Sequence, residues 1–568
     1  MKKYGFLLIV CCLFAVRGEA QQAPKWMEKA KHAVFSVITY DKDDKILNTG
    51  NGFFVSENGV ALSDYSLFKG ASRAIIIDAE GKQMPVDAIL GANDMYDVIK
   101  LRVKITKKKV LALPIANIPP AVGADVYLLP YSTQKDRSFT TGKVKEVGKI
   151  GDNHQYYTLS MQLKDKMVSC PLTTADGMVI GLAQKSLGKD TVSVCYATGA
   201  SFALSLTINA LFSSDLVFRN IGIRKGLPDT EEQALVAMYI ASSQLTREEY
   251  ADMLDYFVEQ YPNSVDGYIR RATHYVDAAT DDTDMEKADR DIDQALKIAA
   301  KKDEVYYDRA KLIYGYQLGK PENTYKDWTY SRSLTEIHKA LAIDSLPVYI
   351  QTEGDIYFAQ QDYATAFMSY QKVTRTDLAS PDIFFRAAKA KELAQGDINE
   401  VIALLDSCMA RCPQPMNEQN ASYLLERAQL KMNAEQYHSA MLDYDAYHHA
   451  VKGSVNDVFY YYREQAALKA KQFQRALDDI KKAIELNPKD VNYHTELGVV
   501  NFRVGRYEEA IKSFSEALAI DPRYAESYRL RGLCRLQMKQ NKEACAEFAK
   551  AKELGDTAVE ALIEKHCK

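Results

Sequence analysis

The sequence predicts a multidomain protein, in which an all-β N-terminal part is followed by an all-α array of repeated helix pairs. Three observations support this. The chain has 568 residues, more than one hydrophobic core usually organises. Residues 30–225 contain many short runs of β-branched and aromatic residues separated by Gly, Asp and Asn. From about residue 226 helical patterns replace them, and near the C-terminus they recur every 34 residues.

Composition narrows the class of protein. Hydrophobic residues make up 47% and charged residues 26%, as in ordinary globular proteins. The net charge of -4 lacks the basic excess that nucleic-acid binders usually carry, so we expect no nucleic-acid partner. No segment of the mature chain approaches the length of an apolar membrane span.

The N-terminus has the layout of a cleaved export signal. Lys2 and Lys3 precede an apolar run over residues 6–16, and Gly18-Glu19-Ala20 forms a small-x-small cleavage site. Residues 1–20 are therefore predicted to be a signal peptide that is removed after Ala20. The mature protein would be periplasmic or extracellular.

Candidate strands follow one another through the N-terminal part, with turn-forming residues between them. This pattern indicates a sandwich or a barrel and does not choose between the two. The candidate strands are residues 33–40, 51–55, 74–77, 98–103, 126–129, 158–163 and 178–182.

Three segments of this part resemble trypsin-like serine proteases of the HtrA/Deg type. Residues 50–59 are similar to the family's Gly-Ser-Gly-Phe segment, and residues 61–71 to its Leu-Thr-Asn-x-His-Val-Val-x-Gly-Ala. Residues 93–101 are similar to its Asp-x-x-x-Asp-Leu-Ala-x-Leu. The resemblance places the family's catalytic histidine on Ser66 and its triad aspartate on Asp97.

Further along, Thr140-Thr141-Gly142-Lys143-Val144 is similar to a strand of the family's second barrel. Lys166-Met167-Val168-Ser169-Cys170-Pro171-Leu172 resembles the nucleophile loop Gly-Asn-Ser-Gly-Gly-Pro-Leu. The family's nucleophilic serine then falls on Val168, and the glycine that shapes the oxyanion hole falls on Lys166. The resemblance implies a trypsin-like double barrel over residues 21–225.

The departures from the family fall on its chemistry. Acyl transfer needs a nucleophile and a base that takes its proton. Val168 supplies no nucleophile and Ser66 no base, so the sequence predicts an inactive protease domain. The alternative is a displaced nucleophile, Ser169, with His154 or His32 as its base; a Cys170 thiolate is a weaker version of the same idea.

Cysteine usage leaves several pairings open. The chain has nine cysteines, and seven remain after removal of Cys11 and Cys12 with the signal. The trypsin-like layout implies neighbouring strands for Cys170 and Cys195, so they form either a disulfide or two separate buried thiols. Cys408 and Cys412 lie one helical turn apart without further ligands at metal-binding spacing, and we predict no metal and no cofactor.

The C-terminal part resembles tetratricopeptide repeats (TPR), whose period is 34 residues. Small residues, aromatic residues and prolines recur at that spacing, and the best repeats are 457–490, 491–524 and 525–558. Weaker repeats extend the prediction to about eight or nine helix pairs within residues 226–568. The positions that carry the resemblance are Ala476, Ala510 and Ala544; Ala483, Ala517 and Ala551; Gly498 and Gly532; and Pro488 and Pro522.

In this family the first helix of each repeat lines a groove, and here that groove would be mixed apolar and basic. Such a surface suits an extended peptide or a partner's helix. The predicted groove residues are Tyr461, Gln465, Lys469, Thr495, Val499, Phe502, Arg503, Arg529 and Leu533.

Two hypotheses about function follow. The favoured one is an exported, non-catalytic scaffold, in which an inactive trypsin-like domain is joined to an array that binds a protein partner. The alternative is a divergent serine peptidase that uses Ser169, with the array selecting substrates.

Overall fold

The computed structural model describes residues 24–106, 109–133, 139–151, 153–184, 194–322 and 325–567. The chain divides into two compact units between Ile298 and Ala299. The predicted export signal, residues 1–20, lies outside the described residues.

The first unit begins with a closed six-stranded antiparallel barrel. Its strands are hydrogen-bonded in the order β1-β2-β3-β6-β5-β4. Burial alternates along β1, because successive side chains of a strand point to opposite faces and one face lines the core. The strands are β1 (Val34–Tyr40), β2 (Ile46–Phe54), β3 (Val60–Ser63), β4 (Arg73–Ile77), β5 (Gln83–Asn93) and β6 (Val98–Val103).

A second closed six-stranded barrel follows, ordered β10-β11-β12-β9-β8-β7. The two barrels confirm the predicted all-β double barrel. Their strands are β7 (Asp125–Leu128), β8 (Thr140–Ile150), β9 (His154–Leu159), β10 (Pro171–Thr173), β11 (Val179–Gln184) and β12 (Cys195–Gly199).

Gly52 illustrates why a predicted motif residue is needed in the first barrel. A Cβ at this position would lie 2.7 Å from the carbonyl oxygen of Leu62 on the neighbouring strand and 2.6 Å from the Phe35 ring. Only glycine allows so close an approach of the two strands at this point.

Helices connect and follow the barrels in the first unit. The core of the first barrel continues into α5 and α6, which contribute Ala237 and Phe257 among others. The change from strands to helices near residue 226 therefore does not coincide with the division between the compact units. The helices are α1 (Lys25–Ala30), α2 (Tyr65–Phe68), α3 (Ala200–Ser205), α4 (Leu216–Arg219), α5 (Glu231–Ala241), α6 (Arg247–Gln260), α7 (Val265–Ala278) and α8 (Asp282–Ile298).

The regular secondary structure described in the second unit is all helical. Among all described residues, no helix has the length and apolar character needed to cross a membrane. The helices are α9 (Asp303–Gly319), α10 (Tyr330–Ile343), α11 (Pro347–Ala359), α12 (Tyr363–Val373), α13 (Pro381–Leu393), α14 (Ile398–Met409), α15 (Ser422–Asn433), α16 (Tyr437–Ala450), α17 (Asp457–Lys469), α18 (Phe473–Leu486), α19 (Val491–Arg503), α20 (Tyr507–Ile520), α21 (Ala525–Gln537), α22 (Asn541–Glu553) and α23 (Glu560–His566).

The helix pairs α17/α18, α19/α20 and α21/α22 correspond to the three best predicted repeats. Gly498 and Gly532 are buried, and any Cβ there would overlap the rings of Phe514 and Phe548. A small residue on the first helix thus admits a large ring from the second helix of the same repeat. This is the packing that the 34-residue pattern predicts.

In two of the repeats, an arginine on the first helix forms an ion pair with a buried aspartate on the second helix. Arg463 on α17 donates two hydrogen bonds to Asp479 on α18, at 2.9 and 2.6 Å, and a longer one of 3.4 Å to Asp445 on α16. Arg427 on α15 does the same with Asp443 on α16, at 2.9 and 2.6 Å. Because bidentate geometry satisfies both charges, the pairs are tolerated in the core.

Candidate functional site

Asp97 holds the position that the trypsin-like layout gives to the triad aspartate. It lies in the turn between β5 and β6, with a left-handed φ of 47°. Its carboxylate accepts the backbone N–H of Ser66 on α2 at 2.6 Å and the Ser66 hydroxyl at 2.9 Å. In the family this carboxylate orients a histidine. Here Ser66 takes both of its oxygens, and a serine hydroxyl is no general base near neutral pH.

Val168 follows a single 3-10 turn formed by Asp165–Met167. Asn51 on β2 fixes this segment, because its side-chain amide donates to the carbonyls of Lys166 and Val168 at 3.1 and 2.8 Å. The backbone at the nucleophile position is therefore held in place, and the side chain that it carries, that of Val168, is a hydrocarbon.

The oxyanion hole of such proteases is built from the N–H of the nucleophile and the N–H two residues before it. At the corresponding place the N–H of Val168 is directed to the carbonyl of Asp165, 3.4 Å away, inside the 3-10 turn. Lys166 is exposed at the position of the second donor. The first of the two donors, the N–H of Val168, is thus directed to a carbonyl of the protein's own backbone.

Ser169, the alternative nucleophile, is directed into the protein. It is 1% exposed and has a left-handed φ of 64°. Its hydroxyl donates to Oδ2 of Asp64 at 2.5 Å, and its N–H donates to the carbonyl of Ala183 on β11 at 2.9 Å. A hydroxyl has a single proton, and in this geometry that proton is directed to a carboxyl group rather than to an imidazole.

Asp64, which follows β3, is a site residue that the sequence reasoning missed. Burial raises its pKa well above the usual range, the nearby Asp97 charge raises it further, and the bond from Ser169 lowers it. Its Oδ1 is buried and has no hydrogen-bond partner within the described residues. The raised pKa disfavours the ionised carboxylate, which is the form that would act as a base towards Ser169.

In the contacts that the structure describes, the two histidines suggested as bases are beside other residues and not beside Ser169. His154 Nδ1 is 3.4 Å from the Ser201 hydroxyl, and its ring lies 5.5 Å from that of Phe202. His32 lines a cavity of the first barrel that also contains Asp78 and Lys82.

The suggested disulfide between Cys170 and Cys195 is corrected by the structure, in which both are buried free thiols. The strand β11 lies between them: Ala183 donates its N–H to the carbonyl of Cys170 and pairs with Ala197 of β12. Two strand spacings amount to roughly 9.6 Å, beyond the reach of a disulfide. Burial raises the pKa of each thiol to about 12, so Cys170 is also a poor thiolate nucleophile.

A different disulfide joins Cys545 on α22 to Cys567, one residue beyond α23. It fastens the closing helix to the last repeat, and the two cysteines have a sequence separation of 22. The odd cysteine count allowed a disulfide without indicating this pair. Within the described residues, no group of three or more His, Cys, Asp or Glu side chains is placed to hold a metal ion.

Several predicted groove residues are occupied by contacts within the array. Thr495 is buried, and its hydroxyl lies 2.8 Å from that of Ser527. Arg529 donates to Asp556 at 2.7 Å and to Glu526 at 2.8 Å. The side chains of Val499 and Phe502 pack with one core cluster, Leu533 packs with another, and the Tyr461 ring lies 5.5 Å from the Tyr493 ring.

The side chains of Lys469 and Arg503 are exposed, and that of Gln465 is partly exposed. The predicted mixed apolar and basic character needs correction, because acidic side chains stand beside them. These are Glu464 on α17, Glu496 on α19 and Glu526 on α21. The charge of Glu496 acts on Glu464, and the charge of Glu526 acts on Glu496. The sequence reasoning did not include these three residues.

Comparisons with known proteins follow the same division. Family models match a trypsin-like peptidase domain over residues 50–182 and tetratricopeptide repeats over residues 465–525 and 503–559. The TPR repeat-containing protein MJ1428 of Methanocaldococcus jannaschii is 22% identical over 196 residues, 34% of each chain. Small glutamine-rich tetratricopeptide repeat-containing protein 2 of Mycosarcoma maydis is 32% identical over 92 residues, 16% of this chain and 25% of that protein.

The chain thus spans about a third or less of the length of these curated relatives. Among solved structures, the Rv3671c protease from M. tuberculosis in its active form is similar, with 18% identity and a TM-score of 0.27. That similarity covers 32% of this chain and 84% of the protease chain. From the family matches and the two closed barrels, the chain is a trypsin-like peptidase domain followed by tetratricopeptide repeats.

Proposed function

We propose that this protein is an exported, non-catalytic scaffold in which an inactive trypsin-like domain is joined to a TPR array that binds a protein partner. One observation carries the proposal. The Asp97 carboxylate, which would orient a catalytic histidine, receives both hydrogen bonds of Ser66 instead. With Val168 in the nucleophile position, the domain has neither the attacking oxygen nor the imidazole of the triad.

The alternative, a peptidase that uses Ser169, fits the geometry less well. Its hydroxyl would have to leave Asp64, emerge from a site that is 1% exposed, and find a base. The array supports a role in protein–protein interaction, because TPR repeats are matched over residues 465–559.

Export is supported by two features. The first 20 residues have the pattern of a signal peptide. The Cys545–Cys567 disulfide belongs to the kind of bond that persists in oxidising compartments and is rare in the cytosol. Cell fractionation with an antibody against the mature chain tests this part: recovery from the periplasm or medium is expected, and recovery from the cytosol would contradict it.

The experiment for the catalytic half is reaction of the purified mature protein with a fluorophosphonate probe, which labels activated serines. We expect no labelling above that of a heat-denatured sample. Ser169→Ala is the matched variant. Labelling that disappears in Ser169→Ala would establish the peptidase and refute the inactive domain.

A further inference from the structure

Three glutamates on successive first helices form one acidic site, defined here as Glu464, Glu496 and Glu526. Glu464 is completely buried, Glu496 is partly buried, and Glu526 is exposed. The charge of Glu496 acts on Glu464, and the charge of Glu526 acts on Glu496. Burial of the three side chains therefore decreases from Glu464 through Glu496 to Glu526.

The hydrogen bonds of the acidic site are incomplete. The Gln465 side-chain amide donates to Oε2 of Glu464 at 2.7 Å and also bonds Glu496. Oε1 of Glu464 is buried and has no hydrogen-bond partner in the described part of the chain. The other charged groups that act on Glu464 are Glu496 and Asp479, which are both acidic. A buried carboxyl oxygen without a donor is the kind of group that an ammonium or guanidinium ligand would satisfy, and the charge of such a ligand would favour release of the proton that Glu464 otherwise keeps.

Resident cations reach only the outer part of the site. Burial raises the pKa of Glu496, and the charge of Lys469 opposes that rise. Arg529 donates to Glu526 at 2.8 Å. Arg529 also bonds Asp556, at 2.7 Å, so it is shared between two carboxylates. Neither Lys469 nor Arg529 is among the charged groups that act on Glu464.

Two tyrosines stand beside the carboxylates. The charges of Glu464 and Glu496 act on the Tyr461 hydroxyl, and those of Glu496 and Glu526 act on the Tyr524 hydroxyl. Aromatic rings attract ammonium and guanidinium groups through their faces. Carboxylates together with tyrosine rings are chemistry suited to a cationic side chain and hostile to an anionic one.

We propose that the acidic site binds a lysine or arginine side chain from an extended segment of a protein partner. This rests on the proposed function only in taking the array as the partner-binding part of the chain. Lys469 on α17 and Arg503 on α19 are exposed on the helices that carry Glu464 and Glu496. An acidic residue next to the lysine or arginine of the partner would therefore find cations to pair with. A free polyamine carries no such anionic group, and the site therefore favours a peptide.

The test uses fluorescence anisotropy of the mature protein with labelled peptides of about ten residues, a length suited to an extended segment. The probe peptide contains two lysines and two aspartates among serines. In the control peptide, norleucine replaces both lysines. The variant is Glu496→Gln/Glu526→Gln, and the control is Glu508→Gln, an exposed glutamate on α20. Unchanged circular dichroism checks that the variants fold.

The lysine peptide is expected to bind, and the norleucine control peptide is expected not to bind. The double variant should weaken binding about tenfold, because two nearby carboxylates are neutralised, and Glu508→Gln should stay within about twofold. An equal loss in Glu508→Gln would mean that only the net charge matters and would overturn the proposal, as would an unaffected double variant. Competition by spermidine at the concentration of the peptide would also overturn it, because the site would then recognise free amines.

Capture from envelope extract separates this inference from the proposed function. If the mature protein retains partners and the double variant releases them, both stand. If both proteins retain the same partners, the acidic site is refuted and the adaptor role remains. If neither protein retains any, the adaptor role itself fails.

Discussion

Replacing Glu464 by glutamine should make the array insensitive to alkaline pH. Burial, followed by the charge of Glu496, raises the pKa of Glu464 from 4.5 to about 8. The folded chain therefore keeps a proton that the unfolded chain releases from about pH 4.5 upwards. The contribution of this proton to the free energy of unfolding is fully present below pH 4.5 and is lost as pH rises to about 8, the pKa of Glu464 in the folded chain.

The structure gives the scale of this effect. Stability changes by ~1.36 kcal/mol per pH unit for each proton bound differently by the two states. Between the two pKa values of 4.5 and about 8, the loss reaches roughly 5 kcal/mol as an upper bound. Glutamine keeps an oxygen for the bond from Gln465 and cannot ionise. We expect Glu464→Gln to match the native protein near pH 5 and to exceed its stability by roughly 2–5 kcal/mol near pH 9.

Urea unfolding followed by circular dichroism, repeated from about pH 5 to about pH 9, measures the difference at each pH. Hydrogen exchange of the segments from α17 to α19 locates it, because a repeat array opens locally. Glu508→Gln is the control, since its carboxylate is exposed. Parallel pH profiles for the native protein and Glu464→Gln would refute the reasoning, because Glu464 would then ionise normally in the folded chain.

Two further substitutions test what holds the repeats together. Arg463→Ala leaves Asp479, which is 5% exposed, without its bidentate partner, and should cost about 3–5 kcal/mol of unfolding free energy in urea. The control Lys481→Ala, at an exposed position of α18, should cost almost nothing. Equal effects of the two would contradict a buried ion pair. The double substitution Cys545→Ala/Cys567→Ala opens the covalent loop and should cost about 3 kcal/mol, with faster hydrogen exchange in the closing helix. Unchanged exchange there would mean that the helix docks without the bond.

The sequence allowed the repeats to be predicted well, because their packing depends on residue types at a fixed spacing. Gly498 and Gly532 admit the rings of Phe514 and Phe548, and no distant contact is needed to see this. The ion pair between Arg463 and Asp479 lies 16 residues apart, also within one repeat, and the pattern could have revealed it.

The barrels were predicted less evenly. The strand 98–103 was predicted with its observed bounds, but β5, residues 83–93, was not predicted from its pattern. That strand contains Pro85 and Asp87, which are rare in strands, and its pairing with both β4 and β6 overrides their local preferences. The predicted strand 158–163 is displaced, since pairing with β8 and β12 places β9 at residues 154–159.

The site depended most on tertiary contacts. The bond between Ser169 and Asp64 spans 105 residues of sequence, so no local pattern indicates it. The burial of Glu464 likewise follows from its neighbours in the next repeat. At Glu464, however, an acidic side chain takes the place that Gly498 holds in the next repeat, and that mismatch was the available indication.

The central claim is that the barrel domain does not cleave proteins. Incubation of the mature protein with an unfractionated envelope proteome, followed by mass spectrometry of newly formed N-termini, tests it most directly. The account predicts no new termini beyond those in a sample without the protein. New termini that depend on the protein and vanish in Ser169→Ala would contradict it.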